Sequence, residues 1–257
     1  MVMIGEGKAT YQGETLDGAE ALKRAGLKPV VLSSKEGLIL LSGTTSVIAF
    51  ASLAIYDAQT LSLTADIAGS FTLEVLKGTL MAMDERLMAV RPHPDQINTA
   101  ANIRAILKDS PMLDRYRGHR VQDALSIRCM PQLHGPVKKA VKDAQTTLAI
   151  ELNSSVDNPL IFDEEDGGAV ALMGCNADGT YAGMASDNLC IAITDLCKMS
   201  NSRIDRLLNS LVSELPAFLN KNADFNNGLM MIQYASAGLQ LSLIHISEPT
   251  RQAEISY

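Results

Sequence analysis

The clearest hydrophobic pattern in this chain follows Pro131. Val137, Ala140, Val141, Ala144 and Leu148 fall at i, i+3, i+4, i+7 and i+11, one apolar stripe of an amphipathic helix. Lys138, Lys139, Lys142 and Asp143 take the other face, which reads as solvated. Residues 182–211 predict a second long helix, apolar on most sides as far as Met199. A helix of that kind belongs inside a bundle or at a subunit interface. Arg91-Pro92-His93-Pro94 is a stop, after which residues 95–107 start a third helix. Pro216 ends the polar continuation of the second helix, and residues 226–239 predict a fourth.

Shorter elements lie between these. Gly13 separates two β-capable runs within residues 8–16, the pattern of a small hairpin. Asp17-Gly18 leads into a short helix over residues 19–25, closed by Gly26. Ser33 and Glu36 have capping-box spacing. Residues 38–57 and 60–76 are two apolar segments, the second broken by Gly69 and ended near Gly78. Residues 38–55 carry no charge, but Ser42, Gly43, Thr44, Thr45, Ser46 and Ser52 interrupt them. They read as a buried core helix or loop-helix, not a membrane span. Residues 108–121 are charged and turn-like, hence an exposed loop. Residues 156–162 and 169–172, joined by acidic residues 163–168, predict a second hairpin. The fold class expected is mainly α, a long-helix bundle with two small β-hairpins.

Composition narrows the partners. The 257 residues are 47% hydrophobic and 20% charged, with a formal net charge of −7. No basic stripe suggests a nucleic-acid partner. No basic n-region with a long apolar core opens the chain, so the cytoplasm is the expected compartment. Cys129, Cys175, Cys190 and Cys197 form no C-x-x-C pair and read as buried structural thiols. His93, His119, His134 and His245 are scattered without metal-ligand spacing, so no metal is expected.

Both ends depart from an ordinary domain. The chain opens in the apolar run Met1-Val2-Met3-Ile4. Residues 241–257 resemble the in-frame translation of a transposase-type sequencing adapter, and they are expected to break the helical pattern through Met230, Ile232 and Ala235. Two domains are therefore expected: residues 1–240, a partial helical domain truncated at both ends, and residues 241–257, a non-native tail.

Several strings point to a family. Residues 35–44 read KEGLILLSGT and are similar to K-E-G-L-A-L-L-N-G-T of the histidine ammonia-lyases. Residues 121–132, VQDALSIRCMPQ, resemble that family's V-Q-D-P-Y-S-L-R-C-Q-P-Q. Residues 5–13, GEGKATYQG, resemble the segment after its cofactor loop. Asp157-Asn158-Pro159-Leu160, Asp187-Asn188-Leu189 and residues 226–230 match further along. The strings keep family order and spacing across residues 1–240, and the chain is identified as an internal fragment of this aromatic amino-acid lyase family.

The resemblance implies a chemistry. The amine of an amino acid leaves poorly, and the family supplies an electrophile, a methylidene-imidazolone cyclised from Ala-Ser-Gly in its own backbone. Donors and helix N-termini stabilise the charge that develops. A two-pronged arginine suits the substrate carboxylate. By resemblance Arg128 has that role, and Gln122 stands near the electrophile. The resemblance also implies an amino-acid substrate and a homotetramer, to which the apolar residues 182–199 would contribute an interface.

The site departs from the family at three positions. Ser42 stands where the family has asparagine. Leu125 replaces its tyrosine, and leucine transfers no proton. Ala177 replaces the aromatic residue of G-N-F-H, with Asp178 next to it. No Ala-Ser-Gly occurs in the chain. The expected function is therefore a piece of a lyase converting histidine to urocanate, inactive by itself. The alternatives are an aminomutase on the same scaffold and a catalytically silent helical scaffold.

Overall fold

The structure, a computed structural model, describes residues 1–222 and 225–247. The chain divides into two compact units.

Residues 1–45 and 155–178 form the first unit. Strands β1 (Lys8–Tyr11) and β2 (Glu14–Asp17) pair antiparallel, Lys8 opposite Asp17 and Tyr11 opposite Glu14. Gln12 and Gly13 make the turn with φ 51° and 85°, the positive values that a two-residue hairpin turn demands. Helix α1 (Gly18–Arg24) follows directly. Helix α2 (Glu36–Ile39) has half of its expected capping box: Glu36 Oε2 accepts from the Ser33 N–H at 2.6 Å, but the N-cap residue is Lys35 and no side chain caps it. Strands β3 (Leu160–Asp163) and β4 (Ala169–Leu172) form the second hairpin, Leu160 opposite Leu172. The strand starts four residues later than the sequence suggests. Residues 156–159 instead meet Lys35, whose Nζ pairs with Asp157 at 2.7 Å and donates to the Pro159 carbonyl.

Residues 46–154 and 179–257 form the second unit. Its helices are α3 (Thr45–Val75), α4 (Glu85–Ala89), α5 (Pro94–Ile106), α6 (Pro111–Arg115), α7 (Leu125–Arg128), α8 (Met130–Glu151), α9 (Thr180–Leu208), α10 (Ser210–Ser213) and α11 (Met230–Ser247). Helix α8 packs on α5 and α9, and α9 on α11. One core gathers Leu73, Leu76, Met83, Met88, Ile103, Ile127 and Met130. A second joins Ile55 and Ala58 to Val141, Ala144 and Leu189. The α8 stripe is therefore buried as its period predicts. Pro131 sits in the first turn, where a missing N–H costs nothing.

Five expectations need correction. The two apolar segments are not two core elements: Leu38, Leu40 and Leu41 are exposed, and residues 45–75 are one 31-residue helix. Gly69 does not break α3, because it is where Met130 and Arg203 approach the helix closely. By length and composition α3 could cross a membrane; in this unit its stripe of Ile48, Ile55, Ala58, Ala65 and Leu73 is buried. The expected loop over residues 108–121 contains α6, capped by Ser110 Oγ on the Leu113 N–H at 3.3 Å. Lys138 is not solvated but 6% exposed. None of the cysteines is buried: Cys175 and Cys190 are exposed, Cys129 and Cys197 half-buried, and all four are free.

At the last helix the pattern does not break at Leu241. Helix α11 runs from Met230 through Ser247, since Leu241, Leu243 and Ile244 are themselves helix-compatible. Residues 248–257 of the segment expected to be non-native lie outside the described residues.

Candidate active site

The site is built around α7, a single turn of helix. Its N–H groups at Ile127, Arg128 and Cys129 bond back to Ala124, Ala124 and Leu125 at 2.9–3.0 Å. One isolated turn is unstable in water, so its surroundings must hold it. Ile127, 1% exposed, anchors it in the core. Asp123, also buried, accepts from the Thr79 N–H at 2.8 Å. Gln122, just before Asp123, is exposed, and Leu125, between the two anchors, is 62% exposed. Arg128 is half-buried, and its Nε is buried with no hydrogen-bond partner among the described residues. Gln132 Oε1, one turn into α8, is in the same condition. A groove of about 410 Å³ beside Leu125 is lined by Ala124, Leu133, Asp195, Lys198 and Met199 among others.

The segment before Gln122 is fastened by Glu214. Its carboxylate pairs with Lys77 at 2.7 Å, His119 at 2.8 Å and Arg120 at 3.0 Å. Hydrogen bonds from Lys77, His119 and Arg120 lower its pKa to about 2.

Ser42 and Ala177 lie in the first unit, whereas Gln122, Leu125 and Arg128 lie in the second. Ser42 is exposed at the end of α2, its N–H on the Leu38 carbonyl at 2.8 Å. Ala177 is half-buried, within a turn closed by the Asp178 N–H on the Cys175 carbonyl at 3.1 Å.

Sequence reasoning missed a buried polar network behind α7. Asp66 on α3 is 1% exposed. Its Oδ1 meets His134 Nδ1 at 2.8 Å; its Oδ2 meets Lys138 Nζ at 2.5 Å and Asn102 Nδ2 at 2.8 Å. Lys138 also donates to Asn98 Oδ1 at 2.9 Å. On the far side of the imidazole, Arg203 Nη2 meets His134 Nε2 at 2.8 Å. Arg203 Nε donates to the Ser126 carbonyl, inside α7, at 2.8 Å. Arginine can only donate, so His134 Nε2 is the acceptor and Nδ1–H donates to Asp66.

The pKa shifts agree with this assignment. Burial alone would raise Asp66, but hydrogen bonds from His134, Lys138 and Asn102 outweigh it and hold the carboxyl below its ordinary value. Burial lowers His134; the Asp66 hydrogen bond opposes this without reversing it, and the Arg203 charge adds to the lowering. Burial brings Arg203 down to about 10, still protonated at neutral pH. One signal was available in the sequence: Asp66 is the only charged residue between Ala58 and Leu73.

Among the described residues no three of His, Cys, Asp and Glu stand close enough to hold a metal.

Comparison with known proteins is uniform. The family described as aromatic amino acid lyase matches residues 1–256. A histidine ammonia-lyase of Alkaliphilus metalliredigens is 46% identical over 239 residues, covering 93% of this chain and 46% of that protein. The histidine ammonia-lyase of Koribacter versatilis is 44% identical over 250 residues, covering 93% of this chain and 48% of that protein. The chain thus spans about half the length of the curated relatives it matches. Among solved structures, histidine ammonia-lyase from Trypanosoma cruzi superposes with a TM-score of 0.86 at 34% identity, covering 96% of this chain and 46% of that one. Phenylalanine aminomutase from Pantoea agglomerans gives 0.88 at 34% identity, covering 100% and 53%. Because the family match covers nearly all of this chain, the chain belongs to the aromatic amino acid lyases.

Proposed function

We propose that this chain is the central part of an ammonia-lyase that eliminates ammonia from an aromatic L-amino acid, with histidine to urocanate as the leading reaction. The observation that carries the reading is Arg128. Its guanidinium is half-buried on a fixed turn and keeps a buried N–H without a hydrogen-bond partner among the described residues. An unpaired buried donor on a cation is costly unless an anion completes it, and the substrate carboxylate is such an anion. Gln122, six residues earlier, offers an amide to the reacting end of the substrate.

The family's methylidene-imidazolone supplies the electrophile when present. This chain has no Ala-Ser-Gly from which to form it, and Leu125 offers the group no polar atom. No step is therefore assigned to these residues through it, and we regard the 257-residue chain alone as inactive. Ala177, at the family's aromatic position and followed by Asp178, makes a smaller and more acidic pocket in this reading, and Ser42 offers a hydroxyl where the family has an amide.

In this reading the whole enzyme is a cytoplasmic homotetramer with no metal, nucleic-acid or membrane partner. Phe50, Leu53, Tyr56 and Phe71 on α3, and Tyr181, Met184 and Ile191 on α9, are more than half exposed. Apolar surface on that scale calls for a covering subunit. Residues 241–257 are taken as foreign to the enzyme.

The likeness to an aminomutase supports a second reading, in which the amine returns to the β-carbon. A catalytically silent scaffold is a third, favoured by Leu125. Incubating the whole enzyme with L-histidine and then with other aromatic L-amino acids separates them: an unsaturated acid (urocanate from histidine) and free ammonia support the lyase, a β-amino acid the mutase, and no turnover of any of them the scaffold. Arg128→Lys keeps the charge but loses the fork, so KM should rise by roughly tenfold or more. Unchanged kinetics would refute the carboxylate role.

A further inference from the structure

We propose that Arg203, oriented by His134 and Asp66, is a positioning residue that sets the register of α7 and so aims Arg128; this rests on the carboxylate role just given to Arg128. Four helices contribute to the network behind α7. Asp66 comes from α3, Asn102 from α5, His134 and Lys138 from α8, and Arg203 from α9. Every donor in the line has one direction. Asp66 accepts from His134 Nδ1–H, His134 Nε2 accepts from Arg203 Nη2–H, and Arg203 Nε–H donates to the Ser126 carbonyl. Ser126 lies two residues before Arg128 on the same turn. Ile127 fixes that turn by apolar burial, and Arg203 fixes it by a directional bond. Together they leave α7 neither rotation nor slip.

A buried ion network adds little net stability over apolar packing of equal volume. Its particular contribution is geometry. The guanidinium is planar and presents Nε and Nη2 at a fixed angle, so placing His134 places Ser126. Gly69 leaves room for this: a Cβ there would stand 3.4 Å from Arg203 Nη1. Charged groups around His134 are Asp66, Lys138 and Arg203, and the neutral Asn102 completes the Asp66 shell.

The test pairs exchange with kinetics. In this chain, hydrogen exchange of the Ile127, Arg128 and Cys129 amides is measured for Arg203→Lys, His134→Leu and His134→Gln. Lysine cannot serve both partners, and leucine serves neither. Glutamine can donate to Asp66 and accept from Arg203. We expect the first two variants to speed exchange in α7 by on the order of tenfold, with α1 and the first hairpin unchanged, and glutamine to restore protection. Equal speeding by Leu and Gln, or α7 amides unmoved in Arg203→Lys, would overturn the proposal. In the whole enzyme, Arg203→Lys should raise KM while kcat stays within about threefold. If Arg128→Lys leaves KM unchanged, the carboxylate role fails while the exchange result stands. If Arg128→Lys raises KM and Arg203→Lys does not, the positioning role fails.

Discussion

Asp66→Asn strips the countercharge from Lys138 without changing the shape of the site. The two side chains are 2% and 7% exposed and 2.5 Å apart. In the wild type the carboxylate also accepts from His134 and Asn102, so three donors surround it. Asparagine keeps the volume but leaves the ammonium buried without a countercharge, with Asn98 Oδ1 as its remaining side-chain acceptor from the wild-type set. Breaking one partner out of a buried pair costs about 3–5 kcal/mol. For a domain of this size that lowers Tm by roughly 6–20 °C. Lys138→Met removes the ammonium and leaves Asp66 with two donors, so its cost is only about 1–2 kcal/mol. The double variant has no stranded ammonium. It should be more stable than Asp66→Asn alone, with a coupling energy of about 2 kcal/mol.

Urea unfolding of the four proteins, followed by helical circular dichroism, reads this cycle directly. The slopes should agree, so that the midpoints report stability and not a change in the surface exposed. Strictly additive costs would refute the reasoning, because they would mean that Lys138 reaches solvent when Asp66 is neutral. Equal destabilisation by the two single changes would also count against it, since stranding is expected on one side only.

Gly135→Ala places a Cβ 2.7 Å from the Gln96 backbone nitrogen and 2.9 Å from its Cα. Helix propensity favours alanine by about 1 kcal/mol, but overpacking against backbone costs about 1–3 kcal/mol or more. The change should destabilise, whereas Gly183→Ala, with nothing within 4 Å, should stabilise; thermal melts showing the same sign for both would contradict the packing. The buried histidine makes a pH prediction. Unfolded, His134 takes a proton near pH 6.5, its ordinary value; folded, it does so only at lower pH. The unfolded state therefore binds more protons below 6.5, and stability present above that pH is lost as pH falls toward the folded value. Asp66, lowered from 3.8, adds a second loss in more acid solution, below 3.8. Melts of wild type and His134→Gln between pH 7.5 and 5 should converge as pH falls, and parallel curves would reject the assignment.

Where the fold was readable, the signal was local. The α8 stripe of Val137, Ala140, Val141 and Ala144 needs only the helical period, and all four are buried. Where the partner is distant in the chain, the same reading failed. Lys138 sits on the polar side of that helix, where the pattern predicts surface, yet its carboxylate partner lies 72 residues earlier on α3. No window of the sequence contains both. Gly69 misled for the same reason: its local preference is to break a helix, and its use here is to admit Met130 and Arg203. The site divides along the same line. Arg128 and Gln122 stand in a contiguous string and were found through it. Arg203, 77 residues from the carbonyl it holds, carries no motif and was passed over. Asp66 was the one legible trace of the network. A lone carboxylate in an apolar helix has to be neutralised by something, and following that requirement leads through His134 to α7. A charge out of place in an apolar run is thus a pointer to residues that sequence pattern alone cannot pair, and here it points to the turn that carries the proposed substrate arginine.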